Sequence, residues 1–223
     1  MRMRKKKYLS QRIDRCRDYV INTENIDKNP DQSQLDIEYI DFEKVFGNNK
    51  PLILEIGCGK GMFIIKMAKL FPEFNFLGVE VSQNVIVSAC EKALDENLDN
   101  VMFFNCGGEY LQRFIKDNSI DRIYLNFSTP YPKSKNANRR LTYPRYLEIY
   151  KSILKPQGEV HQKTDSMSLF EYSLEQFSQN GFMLKNISLD LQNSGFDNIM
   201  TEYETKFVSQ GKPIYRLEAY LKE

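Results

Sequence analysis

The chain contains no tryptophan and one histidine, His161. A single imidazole excludes a multi-histidine metal centre. The four cysteines (Cys16, Cys58, Cys90, Cys106) are scattered with no C-x-x-C pair, so no zinc or other metal site is expected. Such cysteines suit a reduced, cytoplasmic protein better than a disulfide scaffold. No apolar stretch reaches the roughly 18 residues of a membrane span, and the basic N-terminus has no apolar segment behind it. Neither a membrane partner nor a secretory signal is expected. Repeats and low-complexity tracts are absent as well.

What remains is an ordinary globular composition, 41% hydrophobic and 27% charged, over 223 residues. That length suits one domain with one sizeable core. The formal net charge of +1 hides two basic clusters. Residues 1–17 carry Arg2, Arg4, Lys5, Lys6, Lys7, Arg12, Arg15 and Arg17 against Asp14 alone. Residues 133–145 carry Lys133, Lys135, Arg139, Arg140 and Arg145 with no acid. Two basic patches on an otherwise acidic body suit local docking of a polyanion; a solvated charge run is the plainer alternative.

The most informative stretch is Leu52-Ile53-Leu54-Glu55-Ile56-Gly57-Cys58-Gly59-Lys60-Gly61. Its short, branched apolar run reads as a strand buried on both faces. Gly57, Gly59 and Gly61 then permit backbone angles and ligand approach that side chains would block. Phe63, Ile64, Met67, Ala68 and Phe71 share one helical face, and Pro72 ends it. A strand, a glycine turn and a helix start form a nucleotide-type site, although a tight turn without a ligand has the same pattern. The second strand ends on Glu80, about 20 residues past the glycines, where a ribose diol is held in such folds. The spacing is G-x-G-x-G, so the G-x-G-x-x-G of nicotinamide-dependent oxidoreductases is missing.

Periodicity predicts a basic arm and linker over residues 1–36, helical over Gln11–Val20 and polar over 22–35. A domain over 37–223 follows, opening with a short helix or irregular lead-in. Strands are expected at 52–56, 74–80, 101–105, 121–127 and 158–164. The intervening helices are placed at 61–71, 82–95 with Ser82 as N-cap, about 109–116, Pro144–Leu154 and, after the fifth strand, 167–179. Residues 155–158 read as a turn. Two final strands, 183–191 and 214–221, have a long connection and no helix between them, so one is expected to run antiparallel. The alternation implies an α/β fold, a doubly wound seven-stranded sheet that is mostly parallel. Ligands in such sheets sit beyond the carboxyl ends of the strands. Residues 128–143 form a loop on that rim. Its Pro130-Tyr131-Pro132 stiffens a stacking ring beside cations, a combination suited to an unpaired base.

Several motifs together resemble bacterial tRNA (guanine-N7)-methyltransferases, Rossmann-like enzymes dependent on S-adenosylmethionine. They are Met1-Arg2-Met3-Arg4, Glu55 to Gly61, Leu77-Gly78-Val79-Glu80, Leu125-Asn126-Phe127-Ser128, Arg139-Arg140-Leu141-Thr142, Lys163-Thr164-Asp165 and Asn198 to Glu204. The resemblance implies that Glu55, Gly57, Gly59, Gly61, Glu80, Gly107 and Asn126 bind the cofactor. It implies that Lys133, Lys135, Arg139 and Arg140 grip tRNA, along with the basic arm. Asp165 and Thr201, Glu202, Tyr203 and Glu204 would hold the guanine and close the site, with Asp165 and Thr129 at the catalytic centre. The implied partner is tRNA, and the implied assembly a monomer or homodimer.

This sequence departs from the family pattern at four points. Gly107 replaces an acid after the third strand, and Glu109 lies two positions out of register. Thr129 replaces the acid of Asp-Pro-Trp-Pro. Asn136 stands near the place of a histidine, and Gln162 replaces a phenylalanine. Guanine N7 already carries an accepting lone pair, so methylation there requires no general base. A tRNA- or cofactor-binding paralogue with weak or lost catalysis is the second reading, carried by Gly107 and Thr129.

Overall fold

The computed structural model describes residues 7–21 and 39–222. Met1 to Arg4, the linker at 22–35, the 36/37 boundary and the side chain of Glu202 lie outside the described residues. The first strands form where the apolar runs are densest. β1 (Leu52–Ile56) and β2 (Asn75–Val79) are buried along their whole length. With β3 (Val101–Phe104), β4 (Ile120–Asn126), β5 (Leu154–Thr164), β6 (Phe182–Ser188) and β7 (Tyr215–Leu221) they make one seven-stranded sheet. Its order is β3-β2-β1-β4-β5-β7-β6. Only β7 opposes the common direction, pairing antiparallel with both β5 and β6. Strand order reverses between β1 and β4, the topological switch point at which such sheets open a crevice.

Helices cover the two faces unevenly. α1 (Leu9–Arg15), α3 (Met62–Leu70) and α4 (Gln83–Asp95) pack over β1–β3. On the opposite face lie α5 (Pro144–Ile153), α6 (Met167–Gln179) and the 3-10 turn Gly108–Arg113. A short α2 (Phe42–Phe46) precedes β1. Buried Asn100 ties the end of α3 to the following turn, donating to the carbonyls of Ala68 at 3.0 Å and Phe74 at 3.1 Å.

Several expectations need correction. The N-terminal helix runs over Leu9–Arg15 and continues as a 3-10 turn, because Leu9 and Cys16 are buried against the domain. Arg12 Nε donates to Glu91 Oε1 at 2.6 Å, so this part of the arm is docked on α4. Lys155–Gly158 is not a turn before the strand. β5 begins at Leu154 opposite Ile120, and these residues are taken up where the register jumps to Arg122 opposite Glu159. The last two strands are separated by a helix, α7 (Glu202–Val208), lying within the long connection expected to hold none. Ser82 does not cap α4 through its side chain; its N–H donates to Glu80 Oε1 at 2.8 Å.

Candidate active site

A cavity of about 880 Å³ opens beyond the carboxyl ends of β1, β2 and β4. Its lining includes Glu55, Gly57, Gly59, Glu80, Gly107, Asn126 and Thr129, all anticipated as site residues. Gly57 and Gly59 have φ of 80° and 59°, and a side chain there would meet no protein atom within 4 Å. The open space lies where a ligand would approach the backbone. Gly61 differs, being absent from the cavity wall. A Cβ there would stand 2.6 Å from Ala89 Cβ, so this glycine serves the contact between α3 and α4 rather than a cofactor.

Glu55 lies at the switch point, buried. Asn126 Nδ2 donates to its Oε1 at 2.9 Å. Its Oε2 and Asn126 Oδ1 make no hydrogen bond of ordinary geometry among the described residues. Burial pushes the Glu55 carboxyl up to about 7, opposed by the Asn126 bond, the charge of Lys163 and the Ile64 amide. Glu55 and Asn126 both line the cavity, and a carboxyl beside an amide oxygen suits an ammonium group. Glu80 is held as a fork: Gly59 N–H donates to its Oε2 at 3.3 Å, while Ser82 N–H takes Oε1.

Glu109, two residues out of register with the family's acid, nevertheless comes to the same place. A Cβ built on Gly107 would lie 2.6 Å from Glu109 Oε2. The 3-10 turn folds the Glu109 carboxylate back into the space that a side chain at 107 would fill, and Glu109 lines the cavity.

The opposite wall is aromatic. Phe127 and Tyr131 have φ of 50° and 40°, strained values for bulky residues, and both line the cavity. Phe127 stacks with Tyr203 at 6.3 Å, and Tyr203 with Phe207 at 6.4 Å. The Arg139 guanidinium stands 4.5 Å from the Tyr131 ring centroid. Thr201 also contributes to the wall. No spacing signal marks Phe127 and Phe207 as a pair, since they come from different elements.

Other anticipated residues lie elsewhere. Arg140 is buried and donates to the carbonyls of Pro130 at 3.1 Å and Tyr131 at 3.0 Å, with its guanidinium 4.3 Å from the Tyr172 ring centroid. It staples the loop and is not available to a phosphate. Lys133 and Lys135 are exposed outside the cavity. Asp165 is also off the cavity wall, with Oδ2 3.8 Å from Lys212 Nζ. Glu204 is fully buried, so it does not face a substrate. It completes a capping box with Thr201 and accepts from Lys163 Nζ at 2.9 Å. Lys163 spends its other donors on Asn198 Oδ1 and the Ile199 carbonyl.

Outside this cavity, Glu159, His161 and Glu218 bring potential ligand atoms within 4.8 Å of one another. Lys185 pairs with Glu159 and Arg216 with Glu218, occupying both carboxylates. No helix among the described residues is long and apolar enough to cross a membrane.

Comparison with known proteins identifies the family. A family model described as "Putative methyltransferase" matches residues 49–217. The tRNA (guanine-N(7)-)-methyltransferase of Geobacillus kaustophilus is 49% identical over 80% of this chain and 82% of its own. That of Streptococcus uberis is 43% identical over 99% of this chain and 100% of its own. Among solved structures, the 16S rRNA methyltransferase KamB superposes with a TM-score of 0.65 at 14% identity, covering 83% of this chain and 95% of that one. This last likeness concerns the fold alone.

Proposed function

The chain belongs to the tRNA (guanine-N7)-methyltransferase family, and we propose that it transfers a methyl group from S-adenosylmethionine to N7 of a guanine in tRNA. The observation that carries the site assignment is the convergence of Glu55, the glycine turn, Glu80, Glu109 and Asn126 on one cavity at the switch point. Glu55 and Asn126 would hold the amino-acid ammonium, and Glu80 the ribose diol. Glu109 would serve the adenine end in place of a side chain at 107. When bound, the cofactor supplies a sulfonium methyl as electrophile.

The protein's own part is placement. Phe127 and Tyr203, the latter backed by Phe207, offer a stacking surface for an extruded base. Thr129 offers a neutral hydroxyl at the cavity wall. Guanine N7 attacks with its own lone pair, so no residue is required to remove a proton there. Catalysis would rest on holding N7 in line in a site closed to water. Arg139, Lys133 and Lys135 would meet phosphates. Asp165 would contact the base from the rim beyond β5. The reading carries a cytoplasmic location with it, a monomer or homodimer as the assembly, and no metal requirement.

The test is incubation with unmodified tRNA and methyl-labelled cofactor, followed by digestion to nucleosides. Labelled 7-methylguanosine is expected. Its absence above a no-enzyme control, with cofactor and tRNA still bound, would make the chain a binding paralogue instead.

A further inference from the structure

On the far side of Phe63 from the active-site cavity lies a second one, of about 490 Å³. Its size falls in the range of small-molecule pockets. The helical layer of α1, α3 and α4 stops short here, and the sheet face beyond carries Arg122, Tyr124 and His161 instead of an apolar surface. The roof is apolar and aromatic, with Phe63 and Leu70 from α3 followed by Phe71 and Phe74. Phe63 belongs to the walls of both cavities and separates them.

The floor holds an unmet donor. Arg122 Nη1 donates to Tyr124 Oη at 3.3 Å, while its Nε is buried with no hydrogen-bond partner among the described residues. The nearest carboxylate oxygen, Glu159 Oε2, stands 4.0 Å away, too far to accept. The Arg122 side chain is nonetheless 38% exposed, so the open edge of its guanidinium is what an anion entering the cavity would meet. The other lining cations are already engaged, Lys163 with Glu204 and Arg216 with Glu218. Asp197, also on the lining, disfavours a second negative charge.

We propose that this second cavity binds a small aromatic monoanion, with its acid group on Arg122 and its rings between Phe63, Phe71 and Phe74. The proposal stands independently of the methyl-transfer reading.

The probe is 1-anilinonaphthalene-8-sulfonate, an aromatic sulfonate whose fluorescence rises on burial. It is titrated into the full chain with and without saturating S-adenosylhomocysteine. Saturable binding at one site is expected, undisturbed by the cofactor product. Arg122→Gln should weaken it at least tenfold. Leu70→Asp, at an exposed position on the cavity wall, should weaken it similarly and decides the matter if Arg122→Gln does not fold by circular dichroism. Absence of saturable binding would overturn the proposal, as it would if copies of the chain cover this face by pairing. So would displacement by S-adenosylhomocysteine, or unchanged affinity in folded Arg122→Gln.

Discussion

Lys163 Nζ meets Glu204 Oε2 at 2.9 Å, with both side chains buried. The pair joins the end of β5 to the first turn of α7, which presents Tyr203 to the aromatic wall. Burial draws the Lys163 ammonium down and Glu204 opposes it. Removing one partner strands a buried charge, at a cost of about 3–5 kcal/mol. Glu204→Ala is therefore expected to lower the melting temperature and to cut kcat by releasing α7. Thermal unfolding and steady-state methylation measure the two effects. Unchanged values in both would remove the positioning role.

Glu55 predicts a proton linkage. Its folded-state carboxyl sits near 7, above the ordinary value of 4.5. The group therefore favours the folded state below about pH 4.5, and that contribution is lost as pH rises towards 7. An ammonium ligand needs the ionised form. Binding of S-adenosylhomocysteine should release a proton at pH 6 and tighten as pH rises to 7. Calorimetry at pH 6 in two buffers of different ionisation enthalpy reads the release, and Glu55→Gln should abolish it.

Glu109 is expected to act where Gly107 has no side chain. One charge-assisted contact contributes on the order of 1.5–3 kcal/mol, so Glu109→Ala should weaken S-adenosylhomocysteine about tenfold or more. Asp165→Ala, off the cavity wall, should leave that affinity unchanged while lowering methylation. Equal effects of the two variants on cofactor affinity would contradict this division.

Arg139 and Arg140 should separate cleanly. Arg139 is exposed beside Tyr131, and Arg139→Ala is expected to reduce the salt dependence of tRNA binding by about one unit of slope. Arg140→Ala removes a staple that holds two carbonyls of the loop, so its first effect is a lower melting temperature. Filter binding across a salt series, paired with thermal unfolding, distinguishes them.

Gln162 is fully buried, and both amide atoms lack partners among the described residues. It points to the same side as Val160, towards the core beneath α5 and α6. An unpaired buried amide costs about 1–3 kcal/mol. Gln162→Leu should raise the melting temperature by a few degrees, with activity retained. A lower melting temperature would show that the amide is satisfied.

Much of this protein is written locally. The β1 run and its glycine turn, the Glu80 position and the α6 boundaries follow from periodicity and caps, because neighbouring residues alone decide them. The sheet's single reversed strand was also legible, from two strands near the C-terminus read without a helix between them, even though α7 does lie there. What local pattern cannot decide is where a side chain goes once distant elements meet. Arg139 and Arg140 are adjacent and chemically alike, yet one faces the cavity and the other turns into the loop. Gly61 shares a motif with Gly57 and Gly59, but it answers to Ala89 on another helix. Glu109, two positions from the expected acid, regains the place through a 3-10 turn. Each outcome depends on which atoms fill the space across the fold, and only the tertiary structure contains that information.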